Sequence, residues 1–178
     1  EKNSYYQINK GGIAGFVNSA QSLQVSDCDV SNSEIIARKT YVSNSYNSVS
    51  TAGIIGGQYL TDNESSCSIE NCNVNNTIVK TIIDGDIDDK QASNNLMASG
   101  IIGYSHTPNI DNCQIDNSHI LLEITGKYIG PYYETEITGG KAIGICGSAH
   151  LGTKNANITN CKISDTEIKS NFGGAVGI

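Results

Sequence analysis

Residues 110–120 read Ile110-Asp111-Asn112-Cys113-Gln114-Ile115-Asp116-Asn117-Ser118-His119-Ile120, and their spacing decides the fold. Apolar or small residues fall at positions 110, 113, 115, 118 and 120, so steps of three and two alternate. A step of two returns a side chain to the same face of a strand. A step of three that carries Asn or Asp suits a tight bend, because these residues accept the left-handed conformation that a corner requires. A chain that repeats strand and corner in this way keeps turning in one sense, with Ile, Val and Cys always inward. The 3, 4, 3 rhythm of an amphipathic helix is never sustained.

The same stretch occurs four times. Its other copies begin Val25-Ser26-Asp27-Cys28-Asp29-Val30, Ile69-Glu70-Asn71-Cys72-Asn73-Val74 and Ile158-Thr159-Asn160-Cys161-Lys162-Ile163. Each continues in register to Ile35, to Ile78 or Val79, or to Ile168, with Ser33, Ser118 and Thr166 at the small position. A second mark precedes each copy, a Gly-bracketed apolar pair: Gly12-Ile13-Ala14-Gly15, Gly53-Ile54-Ile55-Gly56 and Gly100-Ile101-Ile102-Gly103. Lys141-Ala142-Ile143-Gly144 reads as the same mark with its first Gly replaced, and Gly174-Ala175-Val176-Gly177 opens a fifth copy. One turn of such a chain cannot bury its own inner face. Stacking equivalent turns ~4.8 Å apart completes the backbone hydrogen bonds and aligns identical side chains. The expectation is an all-β, single-stranded parallel β-helix (a β-solenoid, right-handed favoured) of four to five rungs. Cys28, Cys72, Cys113 and Cys161 form an internal ladder in it.

At these two marks the chain resembles the GLUG motif, a short repeat of bacterial surface and adhesin-like proteins with a Gly-bracketed apolar strand followed by an I-x-N-C-like strand. The resemblance covers nearly the whole chain. The family's Tyr-Ala after the Cys is replaced here by Asp-Val, Asn-Val, Gln-Ile or Lys-Ile, and the repeat is longer. The resemblance implies a parallel β-helix in an extracellular or cell-surface protein, usually without an assigned reaction.

Composition agrees with the repeat. The 178 residues include 25 Ile but 6 Leu, which favours strands over helices, and 20 Asn and 19 Gly, which favour frequent turns. The net charge of −7 comes without a basic cluster, which argues against a nucleic-acid or anionic-membrane partner. No apolar run approaches the ~20 residues of a membrane span. The chain opens at Glu1 with no signal peptide to read. Residues 1–178 are expected to be one β-helix domain, a segment of a longer repeat protein whose coil ends are met by neighbouring repeats or by subunits end to end.

The Cys-to-Cys intervals are 44, 41 and 48 residues, more than one simple coil of roughly 20–25 needs. One coil with loop excursions is favoured over two coils per repeat. The excursions Lys39–Ser50, Asp84–Met97 and Gly126–Thr138 leave from the same point of the repeat and should lie along one edge. The fourth copy lacks one, and a smaller set falls near Gln58–Ser66 and Ser148–Asn157. Loops carried side by side on a stiff scaffold are where solenoids most often bind partners. Tyr41, Tyr46, Tyr128, Tyr132 and Tyr133 fall on this edge and supply flat apolar area with a hydroxyl, suited to a carbohydrate or a protein ligand.

Other chemistry is sparser. Asp84, Asp86 and Asp88 alternate as oxygen ligands for Ca²⁺ would, although Asp89 stands where the calcium-loop Gly belongs and Asn95 where its Glu belongs. Zinc would need paired Cys or His at short spacing, and Cys67 with Cys72 is a single, overlong pair. Free thiols filling one niche per rung are favoured over rung-to-rung disulfides, and a buried thiol is a poor nucleophile. His106, His119 and His150 share no pattern, and His119 should point outward. Asp27, Asp29, Asp111, Asp116, Asp165 and Glu167 project outward, but no facing pair can be chosen for glycoside hydrolysis. Mixed outward positions do not make the flat Thr face of an ice-binding solenoid. The acceptor triplets at Asn63, Asn75 and Asn157 matter only in a eukaryotic secretory setting. The expected role is therefore a structural or adhesive scaffold of a secreted or surface protein, not an enzyme. Polysaccharide-degrading and carbohydrate-binding β-helices are the alternatives.

Overall fold

The computed structural model describes residues 7–19, 22–40, 48–60, 67–85, 96–106, 108–126, 140–150, 156–171 and 174–177. Over these the chain is all-β. The first coil runs through β1 (Gln7–Gly11), β2 (Ala14–Ser19), β3 (Leu23–Ser26), β4 (Asp29–Ser31) and β5 (Glu34–Lys39). The second runs through β6 (Ser48–Ala52), β7 (Ile55–Leu60), β8 (Cys67–Glu70), β9 (Asn73–Asn75) and β10 (Ile78–Ile83). The third comprises β11 (Leu96–Ser99), β12 (Ile102–His106), β13 (Pro108–Asp111), β14 (Gln114–Asp116) and β15 (His119–Ile124). The fourth comprises β16 (Gly140–Ile143), β17 (Cys146–His150), β18 (Asn157–Thr159), β19 (Lys162–Ser164) and β20 (Glu167–Ser170), after which β21 (Gly174–Val176) opens a fifth.

Each strand pairs in parallel with its equivalent one coil away, which makes five sheets: one of five strands, β1-β6-β11-β16-β21, and four of four. The architecture is a parallel β-helix. Each repeat is one coil, because β6 lies directly between β1 and β11 with no intervening turn. The excursions leave where expected, between the fifth strand of one coil and the first of the next, but the first two are shorter than their sequence bounds. Lys39 ends β5, Ser48 begins β6 and Leu96 begins β11.

The corners are built from two columns of left-handed residues. Asp27, Asn71, Asn112 and Asn160 have φ of 54°, 53°, 49° and 53°, and Asn32, Asn76, Asn117 and Asp165 have φ of 49°, 47°, 46° and 44°. Asn and Asp reach this region at the least cost among residues with a Cβ. Between the columns lie strands β4, β9, β14 and β19, each of three residues with its central Val or Ile inward.

The Gly-bracketed pair is not itself a strand. Its first Gly and the apolar residue after it form the bend that joins the first strand of a coil to the second. The Gly53 and Ile54 N–H groups donate to the carbonyls of Gly100 and Ile101, both at 3.0–3.1 Å, and Ile55 N–H donates to the same Ile101 carbonyl at 3.0 Å. This stacking corrects the fourth and fifth marks. Gly100 N–H donates to Gly144 O, and Ile101 N–H to Ile145 O. The fourth mark is therefore Gly144-Ile145-Cys146-Gly147, and Lys141-Ala142-Ile143 belongs to the strand before it. Likewise Gly174-Ala175-Val176 pairs with Lys141-Ala142-Ile143, so the fifth bend begins at Gly177.

Space requires these glycines. A Cβ on Gly53 or Gly100 would strike the carbonyl oxygen of the next bend glycine and the side chain of Val74 or Ile115, which faces it across the coil interior. Thus the Gly of the first mark and the Val or Ile two residues after the Cys of the second are one packing unit.

Strands β6 and β11 of the five-stranded sheet are enclosed on both faces. Val49 to Ala52 and Leu96 to Ser99 are all buried. Ser50 Oγ donates to Gly56 O on one side, at 2.6 Å. On the other, Thr51 lies 2.7 Å from Thr81 Oγ1, which itself donates to Met97 O at 2.7 Å. The core runs along the axis from Val30 and Ile35 through Ile54, Ile69, Ile101, Ile115 and Ile120 to Ile145.

Candidate functional site

The corner columns and the short strands between them carry an outward face of Asn, Asp, Gln, Ser and Thr. Its side chains are tied along the axis, coil to coil. Asn71 Nδ2 donates to Asp27 Oδ1 (3.1 Å), Asn112 Nδ2 to Asn71 Oδ1 (2.9 Å) and Asn76 Nδ2 to Asn32 Oδ1 (2.7 Å). Asn73 Nδ2 reaches Asp29 Oδ1 at 2.6 Å, and Ser164 Oγ reaches Asp116 Oδ1 at 2.8 Å. Asp111 Oδ1 accepts from both Thr159 Oγ1 (2.7 Å) and Asn160 Nδ2 (2.8 Å). These two donors hold its carboxyl below the usual aspartate range, since hydrogen bonding to the charged form favours it.

A shallow axial trough of about 420 Å³ runs along this face. One wall is the column Asp29, Asn73 and Gln114; the other is Ser31, Asn75 and Asp116; the strand at Val30 and Val74 is its floor. The face is thus more ordered than scattered, independently hydrated acids would be.

Inside the same corners lie two columns of small polar side chains. Cys28, Cys72, Cys113 and Cys161 each point their Sγ at the carbonyl two residues earlier, at 3.2–3.4 Å. Ser33, Thr77, Ser118 and Thr166 do the same with their hydroxyls at 2.7–2.9 Å. Both columns follow a left-handed residue and give the carbonyl two residues back a second donor; in the second to fourth coils that carbonyl also accepts the N–H of the left-handed residue one coil earlier. The ladder of four cysteines is present, with Cys72 and Cys113 buried and Cys28 and Cys161 half-buried at the two ends, and all six cysteines are free. Burial pushes the Cys113 thiol up to about 12 and the Cys67 thiol up to about 11, and it raises Cys72. These are packing groups, poorly suited to nucleophilic work.

The remaining sequence-expected residues divide. Tyr41, Tyr46, Tyr128, Tyr132 and Tyr133 lie outside the described residues, as do Asp86 and Asp88. Asp84 is described, and its Oδ2 sits 2.9 Å from Arg38 Nη1, so an ion pair already engages it. Among the described residues no group of His, Cys, Asp and Glu could hold a metal ion. His119 is exposed, as its position implies, and its Nδ1 lies 3.1 Å from Glu167 Oε2 on the next coil. Lys80 and Glu123 pair similarly at 2.7 Å.

Sequence reasoning missed Lys39. It occupies the inward column that Ile83 and Ile124 fill in the next two coils. Its Nζ is buried without a hydrogen-bond partner among the described residues, and burial lowers its pKa. Extending the Ile35, Val79, Ile120 register by four residues would have revealed it.

Among the described residues, the first and last coils have no coil stacked on their outer sides. The large apolar side chains that stand exposed among the described residues are Ile13 (51%), Phe16 (44%), Ile158 (38%) and Val176 (48%), all in terminal coils. Their equivalents inside, Ile54 and Ile101 for Ile13, and Ile69 and Ile110 for Ile158, are at most 1% exposed. No helix among the described residues is long and apolar enough to cross a membrane. Compared with family models, with curated proteins and with solved structures, the chain finds no match in any of the three.

Proposed function

We propose that this chain is a structural segment of a secreted or cell-surface protein, a stiff β-helical spacer that carries loops along one edge for adhesive contacts. The exposure of Ile13 and Ile158, whose column mates are buried one coil inward, carries this reading. A further coil on each end would bury them and pair the open strand edges. The setting rests on the GLUG-like marks.

A polysaccharide-degrading enzyme would need carboxyls opposed across a bond, with one held protonated. Here Asp111 is shifted the other way by its hydrogen bonds from Thr159 and Asn160.

The test is Ile13→Asp made twice, in the 178-residue chain and in the protein as its source cell produces it. A small change in Tm is expected in the first, where the side chain is half exposed. A loss of several degrees is expected in the second, where it would be enclosed. Equal, small changes in both would overturn the spacer reading. Labelling of intact source cells should reach the protein, and labelling that requires opened cells would overturn the surface setting.

A further inference from the structure

We propose that the axial trough on β4, β9 and β14 is a binding site for an extended, uncharged polysaccharide chain lying parallel to the coil axis. The trough has a built-in period: its walls present one polar side chain per coil on each side, ~4.8 Å apart. A sugar ring in an extended β-linked chain advances by nearly the same step. One ring can therefore meet each coil in turn, about three in all along Asp29, Asn73 and Gln114.

The free groups lie in the right place. Most of the axial columns are closed by side-chain hydrogen bonds. The side chains of Ser31, Asn75 and Gln114 line the trough and make none among the described residues. Two primary amides and a hydroxyl each donate and accept, as sugar hydroxyls do. Asn73 is held by Asp29, and Asp116 by Ser164, so these wall groups are already oriented before a ligand arrives.

Charge selects among polysaccharides. Asp29 and Asp116 accept hydrogen bonds but repel carboxylate or sulfate, and the whole chain carries a net charge of −7. An uronic-acid or sulfated polymer is therefore excluded in favour of a neutral one. The trough contains no aromatic ring. Affinity per sugar is therefore low, and binding grows with the number of coils spanned. This site does not depend on the spacer role.

Electrophoresis of the chain through gels containing soluble β-glucan, xylan, galactomannan, polygalacturonate or heparin tests the proposal. At least one neutral polymer should retard the chain, with hexasaccharides of that polymer competing better than disaccharides. Asn75→Ala with Gln114→Ala should weaken retardation by about tenfold or more. Both side chains are exposed, so the fold should persist, as circular dichroism would check. Gln24→Ala with Asn109→Ala, on the neighbouring sheet, should leave retardation unchanged. Retardation by no neutral polymer, or by the acidic ones alone, would overturn the site. So would binding that survives the trough double variant but is lost in Tyr132→Ala with Tyr133→Ala.

Discussion

An alanine at position 100 would place its Cβ against the Gly144 carbonyl oxygen and the Ile115 side chain, both held by the coil stack. The carbonyl cannot retreat without breaking the bend's hydrogen bonds. Gly100→Ala should therefore cost more than about 3 kcal/mol in urea unfolding. Gly174→Ala, where nothing lies within 4 Å, should be nearly neutral. Lys39 is the opposite case, a residue that the column does not want. Replacing it by the Ile that its neighbours carry removes a buried, unpaired ammonium and should raise Tm at neutral pH. The change also isolates the thiols in a pH titration. Lys39 has a lowered folded pKa, so up to the unfolded value of 10.5 it makes the native chain more stable as pH rises. Cys113 and Cys67 are raised from 9.0, so above pH 9 the unfolded chain loses protons that the folded chain keeps, and stability falls. Lys39→Ile should accordingly lose the rise toward alkaline pH and show a decline above about pH 9. A continued rise would contradict the burial of these thiols.

Among the elements, the two corners were fully legible. Steps of three with Asn or Asp before Cys, Ser or Thr have few meanings other than a left-handed turn, and all eight such residues adopt one. Replacing Asn112 by Ala should cost about 1–2 kcal/mol for the left-handed backbone, with an added loss from its bond to Asn71. Asn112→Gly should recover the backbone part, and a urea series on the three proteins separates the two contributions. The five-stranded sheet was less legible. Enclosed on both faces, its strands β6 and β11 read Ser-Val-Ser-Thr-Ala and Leu-Met-Ala-Ser, without the alternation that marks a half-exposed strand. That is why the sequence-based excursions ran too far into β6 and β11. The same missing alternation hid the true place of the fourth mark, since Gly144-Ile145-Cys146-Gly147 has a Cys where Ile or Ala was expected.

Across the whole molecule, equivalence between coils made the architecture readable, and departures from equivalence made the site hard to read. A β-helix announces itself by repetition, but a ligand site on it depends on which outward side chains are already bonded to the coil above. Nothing in one copy of the repeat says that Asn73 is engaged and Asn75 is free; that follows from the Asp at position 29 and the Ser at position 31, one coil away. The thiol column and the edge from which the loops depart followed directly from counting residues.

The shared departure point of the excursions has a consequence for how such a molecule changes over time. Each excursion, whatever its length, hands the chain back to the same register. A residue added there alters neither the height of the next coil nor the facing of any side chain above it. Insertions inside a strand or at an Asn corner would turn inward groups out. Sequence drift is thereby channelled to this flank and to the link between the second and third strands, whose length also differs from coil to coil, while the trough keeps its spacing.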